Sequence, residues 1–149
     1  MKLSRLLLTL GAFCIAACLH ASAHDANVRG DSYVRAVLLA GKFRSPRELN
    51  AMPADVQRNA LIVELAGRMN ESVAHFQSLD DARLAGTGAL LVFLRESRIR
   101  RDEELKAMGE GELRSTMIAE MGPQDPRDLQ LRRLDNMGLV RVALGIAPQ

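Results

Sequence analysis

The chain has 149 residues, a formal net charge of +2, two cysteines, and 3% aromatic residues with no tryptophan. That length suits one hydrophobic core, and a core built on Leu, Ala, Val, Ile and Met points to helix packing rather than a sandwich or barrel. The charge excess (Lys2 and Arg5) and both cysteines (Cys14 and Cys18) fall within the first 23 residues. Residues 24–149 are therefore balanced in charge, which argues against general nucleic-acid binding, and free of disulfides, which leaves stability to packing.

Residues 1–23 read as a secretory signal peptide. A short basic start is followed by the apolar run from Leu6 to Leu19 and by His20-Ala21-Ser22-Ala23, which ends in Ala-x-Ala. The apolar run falls short of the roughly 20 residues of a spanning helix, and it lacks the polar face of a core helix. Within it, Ile15-Ala16-Ala17-Cys18 resembles the bacterial lipobox. That resemblance implies lipidation of Cys18 and a membrane tether, as an alternative to cleavage after Ala23.

Residues 24–149 are expected to form a single all-α domain, and strand alternation is not evident. A first helix over Ser32 to Lys42 places Val34, Val37, Leu38 and Leu39 on one face. Ser45-Pro46-Arg47-Glu48 is a capping box with proline at the first helical position, so a short helix to about Met52 follows. Pro53 can open the next helix, over 54–69, with Val56, Ala60, Val63 and Leu65 expected inside. Ser78 is the expected N-cap of another helix, with Asp80 and Asp81 in its first turn. Gly86-Thr87-Gly88 is expected to interrupt it before it resumes from Ala89 to Arg98. Asp102 caps a short helix to about Met108, Glu110 to Met121 forms a longer one closed by Gly122-Pro123, and 124–126 is a loop. Segments 127–133 and 136–144 complete the set.

The chain also resembles itself at a spacing of 56 residues. Arg44, Glu48, Leu49, Ala51, Met52, Arg58, Ile62 and Glu64 meet Arg100, Glu104, Leu105, Ala107, Met108, Arg114, Ile118 and Glu120. After a one-residue slip, Leu79, Asp80 and Leu84 meet Leu134, Asp135 and Leu139. Two units of about 56 residues, roughly 44–99 and 100–147, are thus expected to pack as a compact bundle or a short superhelical array. Arg58 and Arg114 recur with Glu64 and Glu120. They are either helix-joining ion pairs or two equivalent pockets in which arginine forks a carboxylate or phosphate.

Chemistry-bearing residues are few. Without cysteine after residue 23, Cys-His chemistry is excluded, and His24 and His75 are the remaining histidines. His75, beside Phe76, is expected in a loop. A histidine at a new amino terminus, together with His75, could chelate copper. Arg95, Arg98, Arg100 and Arg101 form the densest basic run, where a phosphate or headgroup could bind. The expectation is an exported, non-catalytic helical binding protein, periplasmic or secreted, with no cofactor. Its partner would be a protein of the cell envelope or beyond it, as for an inhibitor or immunity-type protein; nucleic acid is not expected, and a membrane only through Cys18. The alternative is a small enzyme or a copper-binding protein using His24 and His75.

Overall fold

A computed structural model describes residues 26–122 and 128–146, and these form helices and no strand. In chain order they are α1 (Ala26–Ala40), α2 (Pro46–Ala51), α3 (Ala54–Arg68), α4 (Val73–Gln77), α5 (Asp81–Glu96), α6 (Asp102–Lys106), α7 (Glu110–Met121), α8 (Asp128–Arg133) and α9 (Asn136–Ala143). The signal segment, Cys18, His24 and the loop at 124–126 lie outside the described residues. None of the described helices is long and apolar enough to cross a membrane.

The fold is organised around α5. Every residue from Leu84 to Leu94 is buried, because α1 and α9 pack against it extensively, with α3, α6 and α7 adding further contacts. Gly86-Thr87-Gly88 does not interrupt this helix. A Cβ on Gly86 would lie 3.0 Å from the Met137 backbone nitrogen, and one on Gly88 would lie 2.7 Å from Val37 Cγ1. Glycine here permits close approach of α9 on one side and α1 on the other, a gain that outweighs its poor helix propensity.

Local signals set the helix boundaries. The Ser45 hydroxyl accepts from Glu48 N at 3.2 Å while the Glu48 carboxylate accepts from Ser45 N at 2.7 Å, completing the capping box. Ser72 caps α4, a helix the sequence pattern does not announce, and His75 lies in it rather than in a loop. Ser78 ends α4 and does not begin α5. Asp80 is the N-cap of α5, its carboxylate accepting from Arg83 N at 2.8 Å, and Asp135 caps α9 by accepting from Gly138 N at 2.7 Å. A carboxylate serves such a position better than a hydroxyl because it also opposes the positive helix end.

The ends of α1 and α5 share one geometry. Phe43 N reaches back to Leu38 O and Ile99 N to Leu94 O, both at 3.0 Å. The turning residues are Lys42 and Arg98, left-handed at φ of 56° and 55°. This is the C-terminal motif usually made with glycine.

On α3 the structure corrects the expected core face. Leu61, Ile62 and Leu65 point inward, and so does Gln57, whose side-chain amide donates to the carbonyls of Leu49 and Met52 at 3.1 and 3.0 Å. Val56 and Val63 face outward, 41% and 63% exposed. Leu61, Ile62 and Leu65 fill the face that α3 turns to α1, α4 and α5, so the Val56–Val63 stripe is left on the solvent side.

Candidate functional site

The two recurring arginines occupy matching nodes. Arg58 on α3 forms an ion pair with Asp81 at the start of α5, and its other nitrogen donates to Leu79 O and, at 3.5 Å, to Gln77 O. Arg114 on α7 donates to Asn136 Oδ1 at 3.1 Å, to Arg132 O at 2.8 Å and to Leu134 O. Each guanidinium thus satisfies carbonyls at the end of one short helix and grips the first residue of the next.

The glutamates partner a different pair of arginines. Glu64 bonds Arg44 at 2.8 Å and Arg68 at 3.1 Å, while Glu120 faces Arg100 at 3.7 Å. Burial opposes ionisation of Glu64, but the hydrogen bonds from Arg44 and Arg68 outweigh it and hold its carboxyl below the usual glutamate range. The structure therefore places Arg58 and Glu64 in separate clusters, and Arg114 and Glu120 likewise.

His75 leads into a polar network that sequence reasoning did not find. Its Nε2 lies 2.7 Å from Glu110 Oε2, and the ring meets Phe76 edge-on. The other Glu110 oxygen accepts from Asn136 Nδ2 at 2.9 Å and contacts the fully buried Thr87 hydroxyl at 3.2 Å. Asn136 also donates to Thr87 Oγ1 at 3.1 Å, and Glu71 accepts from Glu110 N at 3.1 Å. The network ties α4, α5, α7 and α9 together. Its one sequence signal was Thr87 between two glycines, a pattern that marks close helix contact as well as a break.

Beside the Arg114 node a cleft of about 310 Å³ opens between the start of α5, α7, and the junction of α8 with α9. Arg83, Arg114, Arg132 and Arg133 line it with Glu110 and Asp135, over Ala82, Leu134 and Met137. Both carboxylates are already engaged, Glu110 in the network and Asp135 as a helix cap. The Arg83 and Arg133 side chains are exposed and have no hydrogen bond or ion pair among the described residues.

The basic run between α5 and α6 is arranged differently. Arg95 donates to Gly41 O at 2.7 Å, and its guanidinium lies 5.2 Å from the Phe43 ring, which Arg68 also approaches at 4.7 Å. Arg100 donates to Ile99 O at 2.8 Å and reaches Glu120 on α7 at 3.7 Å, while Arg101 faces Glu104 in the helix it precedes. Among the described residues no three His, Cys, Asp or Glu side chains converge in a way that could hold a metal ion.

Among the described residues the exposed large hydrophobic side chains are Val56 and Val63 on α3 and Val73 on α4, and the two on α3 share one face. Val56 and Val63 are two turns apart, with half-buried Ala60 between them and exposed Gly67 a turn beyond. A side chain added at Gly67 would meet nothing within 4 Å. At the spacing of 56, Val56 corresponds to Glu112 and Val63 to Ala119, so the matching face of α7 is not apolar in this way. No family model, curated protein or solved structure matches this chain.

Proposed function

We propose that this protein is an exported, non-catalytic binding domain built from two copies of one helical unit, and that it works by docking a partner protein of the cell envelope against α3. The observation that carries the reading is the exposed Val56–Val63 stripe. A helix whose inner face is filled by Leu61, Ile62 and Leu65 has no folding use for two outward valines, and contiguous exposed apolar surface is the usual mark of an interaction site. Its restriction to α3, where α7 carries Glu112, fits divergence of one copy towards recognition. The duplicated architecture is supported by the matched arginine nodes and by the left-handed turns at Lys42 and Arg98. Export is supported by the order of basic, apolar and Ala-x-Ala regions in residues 1–23, and an inhibitor or immunity-type role suits such a module.

The test has two arms. Mass spectrometry of the mature protein should show a chain beginning at His24 or at a lipidated Cys18; an intact Met1 terminus would refute export. Capture from envelope extract should return a stoichiometric partner, lost with Val63→Asp and retained with the control Ala119→Asp. Equal retention by both variants would refute the α3 face as the docking surface.

A further inference from the structure

We infer that the cleft beside Arg114 is a binding site for an organic phosphate, whose dianion is held by Arg83 and Arg133 and whose organic part lies over Ala82, Leu134 and Met137. Charge comes first. Of the four arginines that line the cleft, Arg114 is committed to Asn136 and two carbonyls and Arg132 has an interaction of its own, which leaves Arg83 and Arg133, two positive charges, the number a phosphate monoester dianion balances. Glu110 and Asp135 also line the cleft, and both already accept hydrogen bonds from the protein.

The two nodes differ in the direction this reading requires. Around Arg58 the segment 77–81 is Gln-Ser-Leu-Asp-Asp, with two carboxylates and no cation. Around Arg114 the segment 132–136 is Arg-Arg-Leu-Asp-Asn, with two cations and one carboxylate. Asp81, which neutralises Arg58, is thus matched by the neutral Asn136 against Arg114. Joining the helices needs only the carbonyl bonds that both nodes make; the added arginines serve no such purpose at Arg133, which is exposed. Arginine is suited to the task because its planar fork meets phosphate oxygens in pairs. The cleft volume lies at the lower end of the range for small-ligand sites, and the apolar floor favours an ester over the free ion.

The test is titration of the purified exported protein with phenyl phosphate, followed by calorimetry. One-to-one binding is expected, weakened about tenfold or more by Arg83→Gln and by Arg133→Gln through loss of a paired charge-assisted contact. Arg98→Gln, in the distant basic run, should leave it unchanged, and inorganic phosphate should bind more weakly than phenyl phosphate. Both glutamine variants should keep the parent melting temperature, since the replaced side chains are exposed. A vesicle arm separates the sources of the phosphate. Retention on phosphatidic acid vesicles, lost with the same two variants, identifies a lipid phosphomonoester as the source alongside phenyl phosphate binding. Vesicle retention without phenyl phosphate binding, no binding to either, or binding indifferent to Arg83 and Arg133 would overturn the assignment.

Discussion

Replacing Gly88 with alanine tests the packing around α5. The new Cβ would sit 2.7 Å from Val37 Cγ1 and 3.4 Å from Leu61 Cδ1. Val37 is 1% exposed and Leu61 fully buried, so neither side chain can swing into solvent. Alanine gains about 1 kcal/mol of helix propensity over glycine, whereas forcing a methyl into a filled core costs about 1–3 kcal/mol. The expected net effect is destabilisation of up to about 2 kcal/mol. Gly86→Ala should lie at the upper end, because its Cβ meets the Met137 backbone nitrogen at 3.0 Å and Asn136 Cβ at 3.1 Å. Relief there requires α9 to retreat, which would stretch the Asn136 bonds to Thr87 and Glu110. Gly67→Ala meets nothing within 4 Å and should stabilise by about 0.5 kcal/mol. Urea unfolding of the three variants, read at constant slope, measures the differences. If Gly86→Ala or Gly88→Ala matched Gly67→Ala in stability, glycine would not be a packing requirement on α5.

Three further expectations concern the parts that join the helices. Arg58→Met and Arg114→Met should each lower stability by about 1.5–3 kcal/mol, the worth of charge-assisted bonds to otherwise unpaired carbonyls; no change in the denaturant midpoint of either variant would refute the structural role of its node. Lys42→Gly and Arg98→Gly should each stabilise by about 0.5 kcal/mol, since relief of the left-handed conformation exceeds the added unfolded-state entropy, and a lower melting temperature would contradict this. Hydrogen bonds to Ser45 and to the Arg101 backbone hold the Glu48 and Glu104 carboxyls below the usual glutamate value of 4.5, and the arginines around Glu64 do the same against its burial. Groups with lowered folded-state values contribute fully at pH above 4.5, and that contribution is lost as pH falls through the folded value. Melting temperature should therefore fall in acid below that point, less steeply in Glu64→Gln; identical acid profiles would remove Glu64 from the account.

The helices were legible wherever a boundary had its own local chemistry. Ser45-Pro46-Arg47-Glu48 specifies its helix start through bonds made within four residues, and Gly122 marks the end of α7. Positions decided by distant packing were less legible. The spacing of Val56 and Val63 suits a buried face as well as an exposed one, and the inward positions are held by Leu61, Ile62 and Leu65. Gly86-Thr87-Gly88 has the composition of a break, yet the approach of α1 and α9 makes the same residues continuous. Arg58 and Arg114 stood out by recurrence, but the carbonyls they bind are backbone atoms with no sequence signature. The Glu110–Thr87–Asn136 network joins residues up to 49 apart in the chain, a separation that no local pattern encodes.

The sharing of α5 has a consequence for how the protein comes apart. Its first residue, Asp81, belongs to the Arg58 node, while its Arg83 and Gly86 face the cleft and α9 on the other side. A fluctuation that loosens either flank strips one side of a helix whose residues from Leu84 to Leu94 have no solvated face. Neither flank retains a complete core when the other opens, so the helices should unfold in one cooperative step rather than in sequence. A helix buried on every side thus ties both flanks into a single folding unit, where separate cores would have opened one at a time.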